Sequence, residues 1–219
     1  MSASAQPIVY CETNWIVALA FPHHQLHGVA KKVHEAGKRG ECSVRVPAAA
    51  ILEARGTLSD VSTQLSSSFA ALRNDVLRAV ENGLAQFSEL SVALRSDVVD
   101  TYAQRNTLSL LDTLDADSSI RILDEVAAHI TTVRELRARL HFDAKDIVDL
   151  HLLASIIHDR RQDIRGPALF FSHNKKEFSP KRGKVPDDLY AESKLVWSDD
   201  FDLESRLGQW RALYESPRP

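Results

Sequence analysis

A chain of 219 residues, 44% hydrophobic and 26% charged, has an ordinary globular composition and the length for one sizeable domain or two small ones. Its net charge of −3 argues against wholesale electrostatic coating of nucleic acid or an anionic membrane, so basic clusters have to be judged by position. Two cysteines make no disulfide framework, no run of about 20 apolar residues spans a membrane, and MSASAQP lacks the basic-then-apolar pattern of a signal peptide; a cytoplasmic protein is expected.

Ile8–Cys11 (IVYC) is β-branched and aromatic without polar alternation, as in a strand buried on both faces. It ends in Glu12-Thr13-Asn14, where Thr13 or Asn14 caps a helix formed by the apolar run Trp15–Phe21. A carboxylate and an amide thus stand at the carboxyl end of a parallel strand, the edge at which open α/β sheets bind ligands. Pro22 breaks this helix. Leu26, Val29, Ala30 and Val33 continue at helical spacing to Gly37 and Gly40, which close a second helix. Cys42–Val46 (CSVRV) is a second strand, and Cys11 and Cys42 are expected as small buried residues. Pro47 opens a third helix in which Ala48, Ala49, Ile51 and Leu52 are apolar and Glu53 is the polar exception. Strand, helix, strand, helix implies parallel strands joined by right-handed crossovers.

Residues from about 60 to 141 change character. Leu65, Phe69, Leu72, Val76, Val80 and Leu84 recur every three or four positions, and Ile120, Leu123, Val126, Ile130, Val133, Leu136 and Leu140 do the same. Val98, Val99, Tyr102, Leu108, Leu111 and Leu114 lie between them, less regularly. With no strand alternation, this reads as an inserted block of three or four helices.

The α/β pattern then resumes. Asp143-Ala-Lys-Asp146 opens a helix to about Asp159, Ala168–Phe171 (ALFF) is a third strand ending in Ser172-His173-Asn174, and a basic loop runs from Lys175 to Val185. Pro186–Ala191 is a short helix, Lys194–Trp197 a fourth strand and Phe201–Tyr214 a closing helix. The expected fold is α/β: a three-layer αβα sandwich with a short parallel sheet, one domain over 1–219 with the helical insertion at about 60–141.

Such a sheet brings together Glu12 and Asn14 after the first strand, Glu53 in the helix after the second, Asp146 and Asp149 on the long helix, and Asn174 and Glu177 after the third strand. Asp146 and Asp149, three positions apart, face the same way on a helix. Like charges held so closely repel, and a cation between them removes the repulsion. Mg²⁺ suits such oxygen ligands.

The segments CETNW (11–15), VPAAAILEA (46–54), KDIVDLHLLAS (145–155) and FFSHNKKEF (170–178) resemble the PIN-domain nuclease family. Its pattern is a strand ending in Asp-Thr-Asn, a helical Glu, a helical Asp and a strand ending near Thr-x-Asp or Thr-x-Asn. The resemblance covers about 130 of the 219 residues, roughly 7–55 and 143–200. Position by position, Glu12 matches the first acid, Asn14 the asparagine bracing that turn, Glu53 the second acid, Asp149 the central helical acid and Asp146 an accessory one. Asn174 takes the fourth place, with Glu177 just beyond. Two residues depart from the pattern: Glu12 is one methylene longer than the usual aspartate, and Asn174 is neutral.

The resemblance implies a metal-dependent endoribonuclease that hydrolyses RNA phosphodiesters with Mg²⁺ or Mn²⁺. Glu12, Glu53, Asp146 and Asp149 would be the metal ligands; Glu12, Glu53 and Asp149 would be catalytic, and Asn14, Asn174 and Glu177 supporting. Lys175, Lys176, Lys181, Arg182 and Lys184, in the loop after Asn174, would lie along an RNA backbone. In the manner of toxin–antitoxin nucleases, an antitoxin or other protein is a further expected partner, as is a homodimer; a membrane is not. The alternative is a catalytically impaired PIN-fold scaffold binding RNA or protein, which Glu12 and Asn174 favour. A small-substrate phosphohydrolase with the inserted helices as a lid is a more distant third.

Each residue also has a structural reading. Asp146 is placed to answer the dipole at the start of its helix, whereas Asp149 sits a turn deeper, where capping does not explain it. His23, His24 and His27 form HHxxH but have no Cys or carboxylate at ligand spacing, so a solvated helix start is expected in place of zinc. His151 and His173 neighbour the acids. Trp15, Trp197 and Trp210 are expected to pack.

Overall fold

A computed structural model of the chain describes residues 6–84, 86, 110, 114, 116–124, 127–164, 166–181 and 183–215. Two compact units emerge, one containing the described residues up to Ala54 and from Asp117 onward, the other running Arg55–Ala116. No described helix is long and apolar enough to cross a membrane.

The first unit is α/β, a five-stranded all-parallel sheet between helices in a three-layer αβα arrangement, as the alternation of elements leads one to expect. Its strands are β1 (Ile8–Cys11), β2 (Ser43–Pro47), β3 (Ile120–Leu123), β4 (Ala168–Phe171) and β5 (Val196–Ser198), in the order β3-β2-β1-β4-β5. The helices are α1 (Thr13–Ala20), α2 (His27–Lys38), α3 (Ala48–Glu81), α4 (Ala127–Arg139), α5 (Ile147–Gln162), α6 (Lys175–Phe178), α7 (Asp187–Glu192) and α8 (Leu203–Tyr214), with a 3₁₀ turn at Ala144–Asp146 before α5. Every residue of β1 and β4 is buried, because helices cover both faces of these central strands.

Neighbouring residues of β2 show which helix covers which face, since successive side chains point to opposite sides. Gly37 of α2 lies against Val44; a Cβ there would come within 2.8 Å of Val44 Cγ2. Arg45, next in sequence, reaches Asp159 of α5 at 2.5 Å. Arg121, Arg45 and Tyr10 are register partners across β3, β2 and β1. All three meet Asp159: Tyr10 donates to it at 2.8 Å, and Arg121 lies 3.6 Å away. A single aspartate of α5 thus ties three strands together.

Three expectations are corrected. Ile120–Leu123 is the edge strand β3, paired with β2 from Val44↔Ile120 to Pro47↔Leu123, not the start of a helix; helix resumes at Ala127. The third helix is not separate from the block expected from about residue 60: α3 runs unbroken for 34 residues, Ala48–Glu81. Leu65, Phe69, Leu72, Val76 and Val80 belong to that helix and Leu84 follows its end, whereas Val98, Val99, Tyr102, Leu108, Leu111 and Val126 lie outside the described residues. Lys175–Phe178 is a helical turn within the expected loop. Smaller shifts put β2 and β5 one or two residues later than expected. Gly37 is interior to α2, and Gly40, with φ 72°, follows its end.

Candidate functional site

The sheet order reverses at β1: β2 and β3 continue to one side, while β4 and β5 lie on the other. The carboxyl ends of β1 and β4 therefore border a switch-point crevice, the ligand-binding position of open α/β sheets. Glu12 follows β1 and Ser172-His173-Asn174 follow β4, so the topology delivers both to this crevice.

Glu12 itself caps α1, where Thr13 or Asn14 was expected. Its Oε2 accepts from the Asn14 N–H at 3.1 Å, and its Oε1 accepts from Asn14 Nδ2 at 2.7 Å and from the His173 N–H at 3.3 Å. The extra methylene lets one carboxylate span the loops after β1 and β4. Burial pushes its pKa up to about 7; the Glu53 charge adds to the rise, and the Asn14 and His173 donors oppose it. Thr13, beside it, donates its hydroxyl to Glu53, which binds α3 to the start of α1.

Asp146, Asp149 and Glu177 bring one carboxylate oxygen each within 4.8 Å of one another. Asp146 both caps and clusters: it accepts from the Asp143 N–H at 3.0 Å at the entrance to α5. Asp149 is one turn on. Burial, then the charges of Glu53, Glu177 and Asp146, raise its pKa to about 6. Asn174 joins the parts of the site. Its Oδ1 accepts from the Glu177 N–H at 3.4 Å, capping α6, and its Nδ2 donates to Asp149 at 3.3 Å. An aspartate at 174 would cap equally well but has no proton to give Asp149.

Lys184 Nζ is paired with Asp146 and, at 2.9 Å, with Glu177. Its ammonium holds the Asp146 carboxyl below the usual range.

Of the four expected metal ligands, the structure groups Asp146 and Asp149, with Glu177 as third member in place of a supporting role. Glu12 and Glu53 lie outside the trio; the Glu53 charge is felt on both sides, raising Glu12 and Asp149. The donor set is carboxylate oxygen throughout, with neither thiol nor imidazole, and suits Mg²⁺ or Mn²⁺.

The basic residues divide. Lys175 is paired with Asp199, Lys176 lies 3.7 Å from Glu177, and Lys181 is exposed. Arg182 lies outside the described residues. Lys184 faces the acids, not the solvent. His24 and His27 make local bonds, His24 Nδ1 accepting from the Leu26 N–H at 3.1 Å and His27 Nδ1 facing Ala18 O at 2.9 Å. His151 stacks on His129 with 5.5 Å between ring centroids. It also lines an apolar cleft of about 460 Å³ with Ala49, Leu52, Glu53, Ile147 and Val148, directly beside the acids. Trp15 and Trp210 are buried and Trp197 is half-buried.

Comparisons with protein-family models, with curated proteins and with solved structures give no match.

The raised carboxyls make a pH prediction. A carboxyl whose folded pKa lies above its unfolded value favours the fold while protonated; that contribution is lost as pH rises from about 4 to about 7. Glu12→Gln removes one such group. The melting temperature of the variant relative to wild type is expected to be more favourable at about pH 8 than at about pH 5. Thermal melts of both proteins across that range check this; a constant difference refutes the shift at Glu12.

Proposed function

We propose that this protein is a metal-dependent endoribonuclease of PIN type. The observation that carries the reading is the meeting of acids from distant segments at the switch point: Asp146, Asp149 and Glu177 within 4.8 Å, with Glu53 adding charge at their border. So many acids in a partly desolvated place are stabilised by a cation. Asp146, Asp149 and Glu177 would hold Mg²⁺ or Mn²⁺, which would activate water and neutralise charge building on the phosphate. Asp149, with a pKa of about 6, is matched to accepting a proton at its carboxylate near neutral pH. Asn174 orients it, and Glu12 fixes the loops after β1 and β4 on which the site is built. The exposed Lys176 and Lys181 would approach an RNA backbone, and Leu52, Ile147 and Val148 supply an apolar wall beside the acids.

A second reading, the PIN-fold scaffold that binds RNA or protein without cutting, is favoured by one observation: an ammonium group already sits among the acids. A mixed-sequence single-stranded RNA incubated with the protein in Mn²⁺, Mg²⁺ or EDTA separates the two. The nuclease cuts with either metal and not in EDTA; a folded protein that cuts in none of the three is the scaffold.

A further inference from the structure

Among the described basic residues of the 175–185 segment, Lys184 alone touches two members of the acid trio. The segment is shaped to put it there. The Gly183 N–H donates to Ser179 O at 2.6 Å and the Lys184 N–H to Glu177 O at 2.9 Å, so main chain and side chain of Lys184 both engage Glu177. At Gly183 a Cβ would stand 2.7 Å from Glu177 O, Ser179 N and Ser179 O, all backbone atoms that cannot yield cheaply. Only glycine allows this close return. The ammonium also lies 5.4 Å from the centre of the Phe142 ring, a second attraction on the same group. The lysine side chain is only 20% exposed, unlike a solvated loop lysine.

Resting on the metal-dependent reading above, we propose that Lys184 permanently fills one cation position of the acid cluster, so that the cluster takes a single divalent ion. The ammonium counts against a second ion. Asp146, Asp149 and Glu177 carry three negative charges when ionised; Lys184 offsets one inside the cluster, and the exposed Lys176, 3.7 Å from Glu177, adds positive charge at its rim, so what remains favours one divalent ion over two. Contacts set the place. Lys184 occupies Asp146 Oδ2 and Glu177 Oε2 and makes no ion pair with Asp149, leaving Asp149 and Asp146 Oδ1 for the ion, with Glu177 Oε1 facing the exposed Lys176 at 3.7 Å. A lysine is a fixed point charge with three donors; it neutralises like an ion but brings no bound water to activate. The second position is therefore electrostatic only.

The test is a count of bound Mn²⁺ on the full chain by calorimetric titration, with free-ion spectroscopy as a second reading. Wild type is expected to take one ion, and Lys184→Met two, with a larger rise in melting temperature at saturating Mn²⁺. Two ions on wild type overturn the proposal without need of a variant. One ion with unchanged affinity on Lys184→Met, shown folded by circular dichroism, also overturns it, while the metal reading stands. Mn²⁺ binding by the variant alone overturns the single-ion claim, since Lys184 would then exclude metal altogether. If neither protein binds Mn²⁺, the metal reading itself falls and this proposal with it. Should Lys184→Met not fold, Lys184→Gln, which keeps a donor and removes the charge, gives the same count.

Discussion

Asp149→Asn is expected to reduce metal-dependent RNA cleavage by about 10²–10⁴-fold, the usual loss when a positioned proton acceptor is removed. It is expected to do so without a fall in melting temperature. Burial, then the charges of Glu53, Glu177 and Asp146, raise the pKa of Asp149 to about 6, so at neutral pH its ionised form is disfavoured by its surroundings. An amide removes that penalty and keeps an oxygen for the Asn174 Nδ2 donor now at 3.3 Å. Loss of activity with level or improved stability marks a functional carboxylate; loss of both marks a structural one. Single-turnover cleavage beside a thermal melt gives the two numbers, and a fully active variant would remove Asp149 from the mechanism.

The second large effect lies away from the acids. Arg160, in the last turn of α5, is fully buried, and its guanidinium donates to the backbone carbonyls of Asp163, Ser193 at 2.9 Å, Ile164 at 3.0 Å, Gly166 at 2.7 Å and Lys194 at 3.4 Å. These carbonyls belong to the turn that leads α5 into β4 and to the end of α7 before β5. Arg160→Met fills much of the volume but leaves them without donors, and each buried orphan acceptor is costly. A destabilisation of about 3–5 kcal/mol is expected, which for a chain of this size is a drop of roughly 10 °C in melting temperature. Urea denaturation of the two proteins measures it; a loss below about 1 kcal/mol would mean that water replaces the guanidinium.

Much of this molecule can be read from its residues, and the exceptions have physical causes. IVYC and ALFF are apolar runs too short and too β-branched or aromatic for anything but central strands, and both are buried throughout. IRIL failed to signal β3 because it is an edge strand with only its ends buried. Ile120 and Leu123 are three apart, a helical spacing that merges with the true helix beginning at Ala127. Among the site residues, Asp146 and Asp149 were legible from their spacing. The resemblance places Glu177 just beyond the matched Asn174, and its segment carries no helical period; the single turn that aims it is made by the Asn174 cap. The resemblance puts Lys184 with its basic neighbours along an RNA backbone; the tight return at Gly183, which turns it onto the acids instead, has no signal in the charge pattern. Arg160 gave no signal at all. Beside Arg161 at a helix end it resembles ordinary dipole-complementing charge, and nothing local says which of the two turns inward.

The pairing of β1 with β4 also sets a timetable. Glu12 and His173 are joined across 161 positions, and Glu177 comes later still. At a synthesis rate of about 5–20 residues per second, β1 waits on the order of ten seconds for the strand that covers its second edge. A growing chain can pair β1 with β2 early, but the centre of the sheet stays half open until β4 emerges. The acid cluster therefore forms only after β4, and a chain halted before Ala168 has neither a finished sheet nor a complete set of carboxylates. Translation itself delays the appearance of the site until β4 and the turn after it have been made.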